Sequence, residues 1–339
     1  MKKIGVLGAG TWGIALARML HNSGCRVCVW SALEREVDEL STARTHPNLP
    51  GMQIPQQISF TKNIGEACRD ADVVLFAVPS PFVRATARQA APHIRRGQLV
   101  VDVAKGIEAD TLMTMSQIIA QELSEQQIEP IALSGPTHAE EVARDLPTTI
   151  VAASTDLAAA QQVQEIFSNS AMRVYTNDDV LGVELCGAVK NVIALATGIA
   201  SGLGCGDNAK AALITRGLSE LMQLGLAMGC KMQTFSGLAG VGDLIVTTTS
   251  MHSRNNRCGM LIGKGVPVDE AVKQIGMVVE GLHALPAAIA LGKKYHVELP
   301  IIETVHRIVS GQIAPTESVP LLMMREQKPE YTFRSVNRA

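Results

Sequence analysis

The chain has 339 residues, long for a single hydrophobic core and sufficient for two domains. With 47% hydrophobic and 18% charged residues, its composition excludes long disordered stretches. A formal net charge of −2 gives no electrostatic case for nucleic acid or an anionic membrane surface, but leaves room for a local basic pocket holding one small anion.

The N-terminus reads Met1-Lys2-Lys3 and enters an apolar run over residues 4–7, which glycines at 8, 10 and 13 interrupt too soon for a signal peptide. The longest apolar stretch, residues 185–203, carries Lys190 and reads as a buried Ala/Gly-rich helix, not a membrane span. The expectation is a cytoplasmic protein without stable membrane insertion. Seven cysteines are scattered along the chain. Cys25 and Cys28 form C-x-x-C in an expected strand, where residues three apart face opposite sides. No second pair completes a zinc site, so no metal is expected.

Taken in order, residues 4–7 form a short strand entering a glycine turn, and residues 12–21 have a helical pattern ending at Asn22-Ser23-Gly24. Strands follow over 26–30, 72–78 (ended by Pro79), 98–103, 131–133, 148–152 and 172–175. Helical periodicity marks 110–123 and 156–167. Apolar strands without polar alternation imply burial on both faces, hence a mostly parallel sheet with helices on either side. After about residue 178 strand signals fade, and helical segments over 178–201, 208–228, 268–274, 283–295 and 301–310 are separated by glycine-rich turns. The expected architecture is α/β: an N-terminal Rossmann-type, doubly wound, mostly parallel sheet over residues 1–180, and an all-helical substrate and catalytic domain over 181–339.

Gly8-Ala9-Gly10-Thr11-Trp12-Gly13 matches G-x-G-x-x-G. Alone the pattern is weak, but here it follows a strand and opens a helix inside a strand-helix-strand unit. Gly8 permits the tight turn, Gly10 lets backbone approach a pyrophosphate, and Gly13 lets helix pack on strand. The acid that usually holds the ribose 2′-hydroxyl is missing from the expected strand tip, where Trp30-Ser31-Ala32-Leu33 stands; Glu34 comes late and Arg35 is only near. That loop specifies neither NAD nor NADP, and the missing acid leans toward tolerance of NADP.

Lys190 sits in Val183-Glu184-Leu185-Cys186-Gly187-Ala188-Val189-Lys190-Asn191-Val192-Ile193, a costly place for a lysine unless it is paired or used. Desolvation and nearby cations would lower its pKa toward proton transfer at neutral pH, and Gly187 would leave room beside it for a ligand. A lysine snorkelling at the domain surface is the bland alternative. Three clusters are candidates to gather around it. They are Ala104-Lys105-Gly106 at a strand end, Ser134-Gly135-Pro136-Thr137-His138-Ala139 in a similar position, and Gly240-Val241-Gly242-Asp243 with Ser253-Arg254-Asn255-Asn256-Arg257 in the helical part. Arg254 beside Ser253 and Asn255 suits a phosphate clamp, and Asp243 suits orientation of Lys190. Each cluster alone is compatible with loop capping; their joint presence carries the functional reading. His138 and His252 neighbour these clusters and are alternative acid/base groups.

Together with Ala211-Ala212-Leu213-Ile214-Thr215-Arg216-Gly217 and Gly237-Leu238-Ala239-Gly240-Val241-Gly242-Asp243-Leu244, these motifs occur in the order seen in the bacterial NAD(P)+ glycerol-3-phosphate dehydrogenase family, which the chain resembles over nearly its whole length. The resemblance implies reduction of dihydroxyacetone phosphate to sn-glycerol 3-phosphate for glycerophospholipid synthesis, with NAD or NADP as cofactor, and a homodimer. It implies Lys190 as catalytic proton donor and acceptor. It implies substrate contacts from Lys105, Gly135, Thr137, Lys190, Asp243, Ser253, Arg254 and Asn255. Cofactor contacts would come from Gly8, Gly10, Thr11, Trp12, Gly13, Lys105, Ala139, Arg254, Val278 and Glu280. The chain departs from the family near Ala32 and Leu33, where Arg or His usually meets the adenosine phosphate, and at His138, where a small or apolar residue is expected. A β-hydroxyacid dehydrogenase would share the two-domain plan and a G-x-x-x-K helix but act on carboxylates, and Ser253-Arg254-Asn255 speaks against it. A non-catalytic dinucleotide sensor would have no use for Lys190 in an apolar helix.

Overall fold

A computed structural model describes residues 1–330; residues 331–339 of the expected second domain lie outside the described residues. Eight strands form one sheet: β1 (Lys3–Leu7), β2 (Arg26–Trp30), β3 (Ser59–Thr61), β4 (Val73–Phe76), β5 (Leu99–Asp102), β6 (Ile131–Ser134), β7 (Thr148–Ala153) and β8 (Met172–Asn177). Their spatial order is β3-β2-β1-β4-β5-β6-β7-β8, parallel throughout except at the β6–β7 pair. The doubly wound α/β expectation is therefore met. Chain order reverses between β1 and β4, so a crevice opens there at the C-terminal ends of the strands, where such sheets bind ligands.

The helices attached to the sheet are α1 (Thr11–Asn22), α2 (Glu34–Ala43), α3 (Ile64–Cys68), α4 (Val83–Ala90), α5 (Met115–Glu122), α6 (Ala139–Val142) and α7 (Leu157–Phe167). They cover both faces. One face buries Val6, Leu75, Val101 and Leu133 with α1 and α7; the other buries Leu7, Val74, Phe76 and Val100 with α3, α4 and α5. Cys25 packs into the first layer and Cys28 against the second, as the three-residue spacing in an extended chain requires. The helix expected over 110–123 starts only at Met115. Thr114 and Gln117 form a capping box, Leu112 takes a φ of +60°, and Ile107 bridges Thr114 ahead of them.

The helical part comprises α8 (Val180–Gly202), α9 (Asp207–Ala227), α10 (Met232–Phe235), α11 (Asp243–Thr249), α12 (Arg254–Gly263), α13 (Val268–Ile275), α14 (Glu280–Tyr295), α15 (Pro300–Val309) and α16 (Ser318–Met323). The helix α8 is long and apolar enough to cross a membrane, but it is buried along nearly all its length inside this protein. It is the core around which the others pack. Its closest partner is α12. A Cβ on Gly198 would lie 2.1 Å from the Asn256 carbonyl oxygen, and one on Gly259 would lie 2.2 Å from that of Leu195, so the two backbones nearly touch. That contact brings the start of α12, expected from sequence as a loop, beside the middle of α8.

Candidate active site

The glycine loop joins β1 to α1 at the edge of the crevice. Gly8 has a φ of +123°, and a Cβ there would meet the Ala77 and Val78 backbone at 2.8–2.9 Å. A Cβ on Gly13 would lie 2.1 Å from the Gly8 carbonyl oxygen. These two glycines serve packing. Gly10 differs: a Cβ there would meet nothing within 4 Å, so its backbone faces open space. The first turn of α1 has no acidic residue and no side-chain cap, which leaves its amides free for an anion. The cradle fits a dinucleotide pyrophosphate. Trp12 packs against the sheet core, and Thr11 Oγ1 accepts a hydrogen bond from Asn48 Nδ2 at 3.2 Å.

The far wall of the crevice comes from the helical part. Glu280 opens α14 and accepts from the Ser80 amide at 3.2 Å and the Ser80 hydroxyl at 2.6 Å. Ser80 lies just beyond β4. Arg254 Nη1 donates to the Val278 carbonyl at 3.1 Å. Arg254, Val278 and Glu280 are thus connected to one another and, through Ser80, to the loop after β4. Ala139 opens the short α6 and is partly buried.

Lys190 projects from the middle of α8 at 4% exposure. Its ammonium donates to Asp243 Oδ1 and, at 2.6 Å, to the Thr247 hydroxyl. Lys105, on the loop after β5, donates to Asp243 Oδ2 at 2.8 Å and to the Gly135 carbonyl at 3.1 Å. The same carbonyl accepts from Thr137 Oγ1 at 3.1 Å. Four expected residues (Lys105, Gly135, Lys190 and Asp243) therefore meet in one cluster, with Thr137 at its edge. The loop carrying Lys105 is set by Asp102, whose Oδ1 accepts from the Ala104 amide at 3.1 Å. Burial and the nearby Glu184 charge hold the Asp102 carboxyl well above the usual carboxylate range.

Electrostatically the cluster has two lysines on one carboxylate. Burial pulls the Lys190 pKa down to about 7; Asp243 opposes that shift and Lys105 adds to it. A buried amine that exchanges its proton near neutral pH is suited to acid/base work.

Other expected residues sit differently. Gly187 does leave space, but the stem of Lys105 and the Ser134 hydroxyl fill it; a Cβ there would lie 3.4 Å from Lys105 Cγ and 3.2 Å from Ser134 Oγ. Ser253 caps α12, its hydroxyl accepting from the Asn256 amide at 3.2 Å. Asn255 is buried and braced at both ends, donating to Asn191 Oδ1 at 2.9 Å and accepting from the Gly281 amide at 2.9 Å. Arg254 is thus the one member of that triplet that is only partly buried. His138 contacts the Val246 carbonyl and lies 5.7 Å from His252, ring centre to ring centre. Burial lowers the His138 pKa.

Sequence reading missed Thr247, Ser80 and Glu36. Thr247 is one helical turn after Asp243, a spacing visible only once 243–249 is known to be helical. Glu36 overturns the reading that no acid stands at the tip of β2: from the first turn of α2 its carboxylate folds back to accept from the Ser31 hydroxyl.

A dinucleotide cradle on a doubly wound sheet, closed by a helical domain that carries a buried lysine of lowered pKa, defines a two-domain NAD(P)-dependent dehydrogenase. Within that class, the model of the NAD-dependent glycerol-3-phosphate dehydrogenase N-terminus matches residues 3–160, and that of the C-terminus matches residues 179–320. The chain belongs to this family. Among its relatives, glycerol-3-phosphate dehydrogenase (NAD(P)+) 2 of Lactobacillus delbrueckii subsp. bulgaricus is 61% identical over 98% of this chain and 100% of that protein. The Bacillus subtilis enzyme is 49% identical over 97% of this chain and 96% of its own length. The crystal structure of glycerol-3-phosphate dehydrogenase from Coxiella burnetii superposes with a TM-score of 0.91 at 38% identity, covering 96% of this chain and 99% of that one.

Proposed function

We propose that the chain reduces dihydroxyacetone phosphate to sn-glycerol 3-phosphate, supplying a glycerophospholipid precursor. The observation that carries this reading is the Lys105–Asp243–Lys190 cluster at the C-terminal edge of the sheet, facing the dinucleotide crevice. Residues 1–180 hold the dinucleotide through Gly8, Gly10, Thr11, Trp12 and Gly13, with Lys105, Ala139, Arg254, Val278 and Glu280 lining the other side. Residues 181–339 supply the catalytic lysine. When bound, NAD(P)H supplies the hydride. Lys190, protonated, gives its proton to the C2 oxygen as hydride reaches C2, and Asp243 and Thr247 hold its ammonium for that transfer. Lys105 offers a second cation against charge developing on that oxygen. Arg254 balances the phosphate, with Gly135 and Thr137 on the opposite wall, while Ser253 and Asn255 fix the start of α12 that presents Arg254. A homodimer in the cytoplasm is part of this reading, and the burial of α8 inside the protein supports an enzyme without membrane insertion.

The test is a steady-state comparison of Arg254→Ala with the wild type. The KM for dihydroxyacetone phosphate is expected to rise about ten-fold or more, with a smaller change for the dinucleotide. An unchanged substrate KM would move the phosphate clamp elsewhere.

A further inference from the structure

The tip of β2 holds a second carboxylate arrangement beside the glycine loop. Ser31 follows the strand directly and is 5% exposed. Its hydroxyl accepts from the Leu33 amide at 3.1 Å and donates to Glu36. The Gly8 amide donates to the Trp30 carbonyl at 2.9 Å, which ties this tip to the glycine loop. The buried ring of His46, near the Glu36 charge, accepts a hydrogen bond from the Asn48 amide at 3.1 Å. The Glu36 carboxylate is therefore placed by Ser31 at the end of the strand.

Its charge is not cancelled locally. Burial keeps the His46 pKa below its ordinary value, so His46 is neutral near pH 7. The neighbouring cations are engaged elsewhere. Arg35 pairs with Glu39 at 2.6 Å, and Lys62 pairs with Asp38 at 3.1 Å and Glu34 at 3.7 Å. Among the described residues no cation pairs with Glu36. On a doubly wound sheet the adenosine ribose lies over this strand tip; a carboxylate there accepts from the 2′-hydroxyl of NADH, whereas a 2′-phosphate needs a cation. Ser31 leaves one Glu36 oxygen free for that hydroxyl.

We propose that Glu36, held by Ser31 at the tip of β2, is the specificity-determining residue that makes this enzyme prefer NADH to NADPH. The proposal rests on the dinucleotide site assigned above, and it reverses the lean toward NADP that the missing acid gave in the sequence. The experiment is a binding titration without substrate, read as energy transfer from the chain's two tryptophans to the reduced nicotinamide, which is the same in both cofactors. Wild-type protein should bind NADH at least about ten-fold more tightly than NADPH, the scale set by a carboxylate facing a phosphate near −2 charge at a solvent edge. Glu36→Gln should narrow that ratio mainly by tightening NADPH, and Glu36→Arg should invert it. Equal binding of the two cofactors, tighter NADPH, or a Glu36→Gln variant that weakens both alike would overturn the selectivity alone. A folded chain that binds neither dinucleotide would overturn the site as well.

Discussion

Lys105 and Lys190 end on the two oxygens of one carboxylate, that of Asp243, although one lysine rises from a strand end and the other from the core of the helical domain. The carboxylate is 1% exposed and holds both ammoniums across the domain junction. A buried pair of this kind contributes little to net stability, because desolvation offsets the Coulombic gain. In the proposed mechanism it fixes where the Lys190 proton can go.

That placement has a pH signature. The Lys190 pKa is drawn down to about 7, so the lysine is protonated below that pH and neutral above it. Ketone reduction needs the protonated form, and kcat/KM for reduction should fall as pH rises through about 7. Oxidation of glycerol 3-phosphate needs the neutral form and should rise through the same range. Parallel profiles for the two directions would rule out Lys190 as the shared group.

Thr247 should matter through Lys190. Its hydroxyl accepts from the ammonium at 2.6 Å and so favours the charged form. Thr247→Val is expected to cost about 2–10-fold in kcat. It should also move the descending limb of the reduction profile to lower pH. A loss of thermal stability with an unmoved profile would make Thr247 a packing residue only.

The glycine loop separates packing from binding. Gly13→Ala places a Cβ 2.1 Å from the Gly8 carbonyl oxygen. It should destabilise the fold by about 1–3 kcal/mol in denaturant titrations. Gly10→Ala meets nothing within 4 Å and should leave stability unchanged while weakening dinucleotide binding about ten-fold or more. If Gly10→Ala binds as the wild type does, the pyrophosphate does not approach there.

How far the sequence foretold this site depends on the range of each interaction. The glycine loop was legible because its turn and helix start are local. Lys190 stood out because a lysine in an Ala/Val/Gly helix has few uses other than a buried pair. Thr247 did not, since Asp243-Leu244-Ile245-Val246-Thr247-Thr248-Thr249 is rich in β-branched residues that favour helix poorly, and packing on α8 decides it. Ser80 and Glu280 are 200 residues apart and meet only through the domain arrangement. Glu36 was hidden because the first turn of α2 carries it back to the strand tip. Its place in the chain, beyond Glu34, gave no sign of that.

Away from the site, Glu220 is a carboxylate in an apolar surround, where it accepts from the Ile301 amide at 2.8 Å and the Ile302 amide at 3.3 Å at the start of α15. Burial raises its pKa to about 8 from an ordinary 4.5. The raised value means that its contribution is fully present below about 4.5 and is lost as pH rises through about 8. Unfolding free energy should therefore decline across that window, by up to ~1.4 kcal/mol per pH unit from this one proton. Glu220→Gln should flatten the decline. An identical slope in the variant would assign the dependence to other buried acids, such as Asp102 and Glu184.

The most direct test of the catalytic assignment follows the loss of reduced-nicotinamide absorbance on adding dihydroxyacetone phosphate, for the wild type and for Lys190→Met. The methionine keeps the stem and leaves Asp243 paired with Lys105. Substrate-dependent oxidation by the wild type, and a loss of at least about 10²-fold in kcat with dinucleotide affinity intact in the variant, is the expected result. Turnover in Lys190→Met close to wild type, or no turnover of this substrate by folded wild-type protein that binds dinucleotide, would contradict the account.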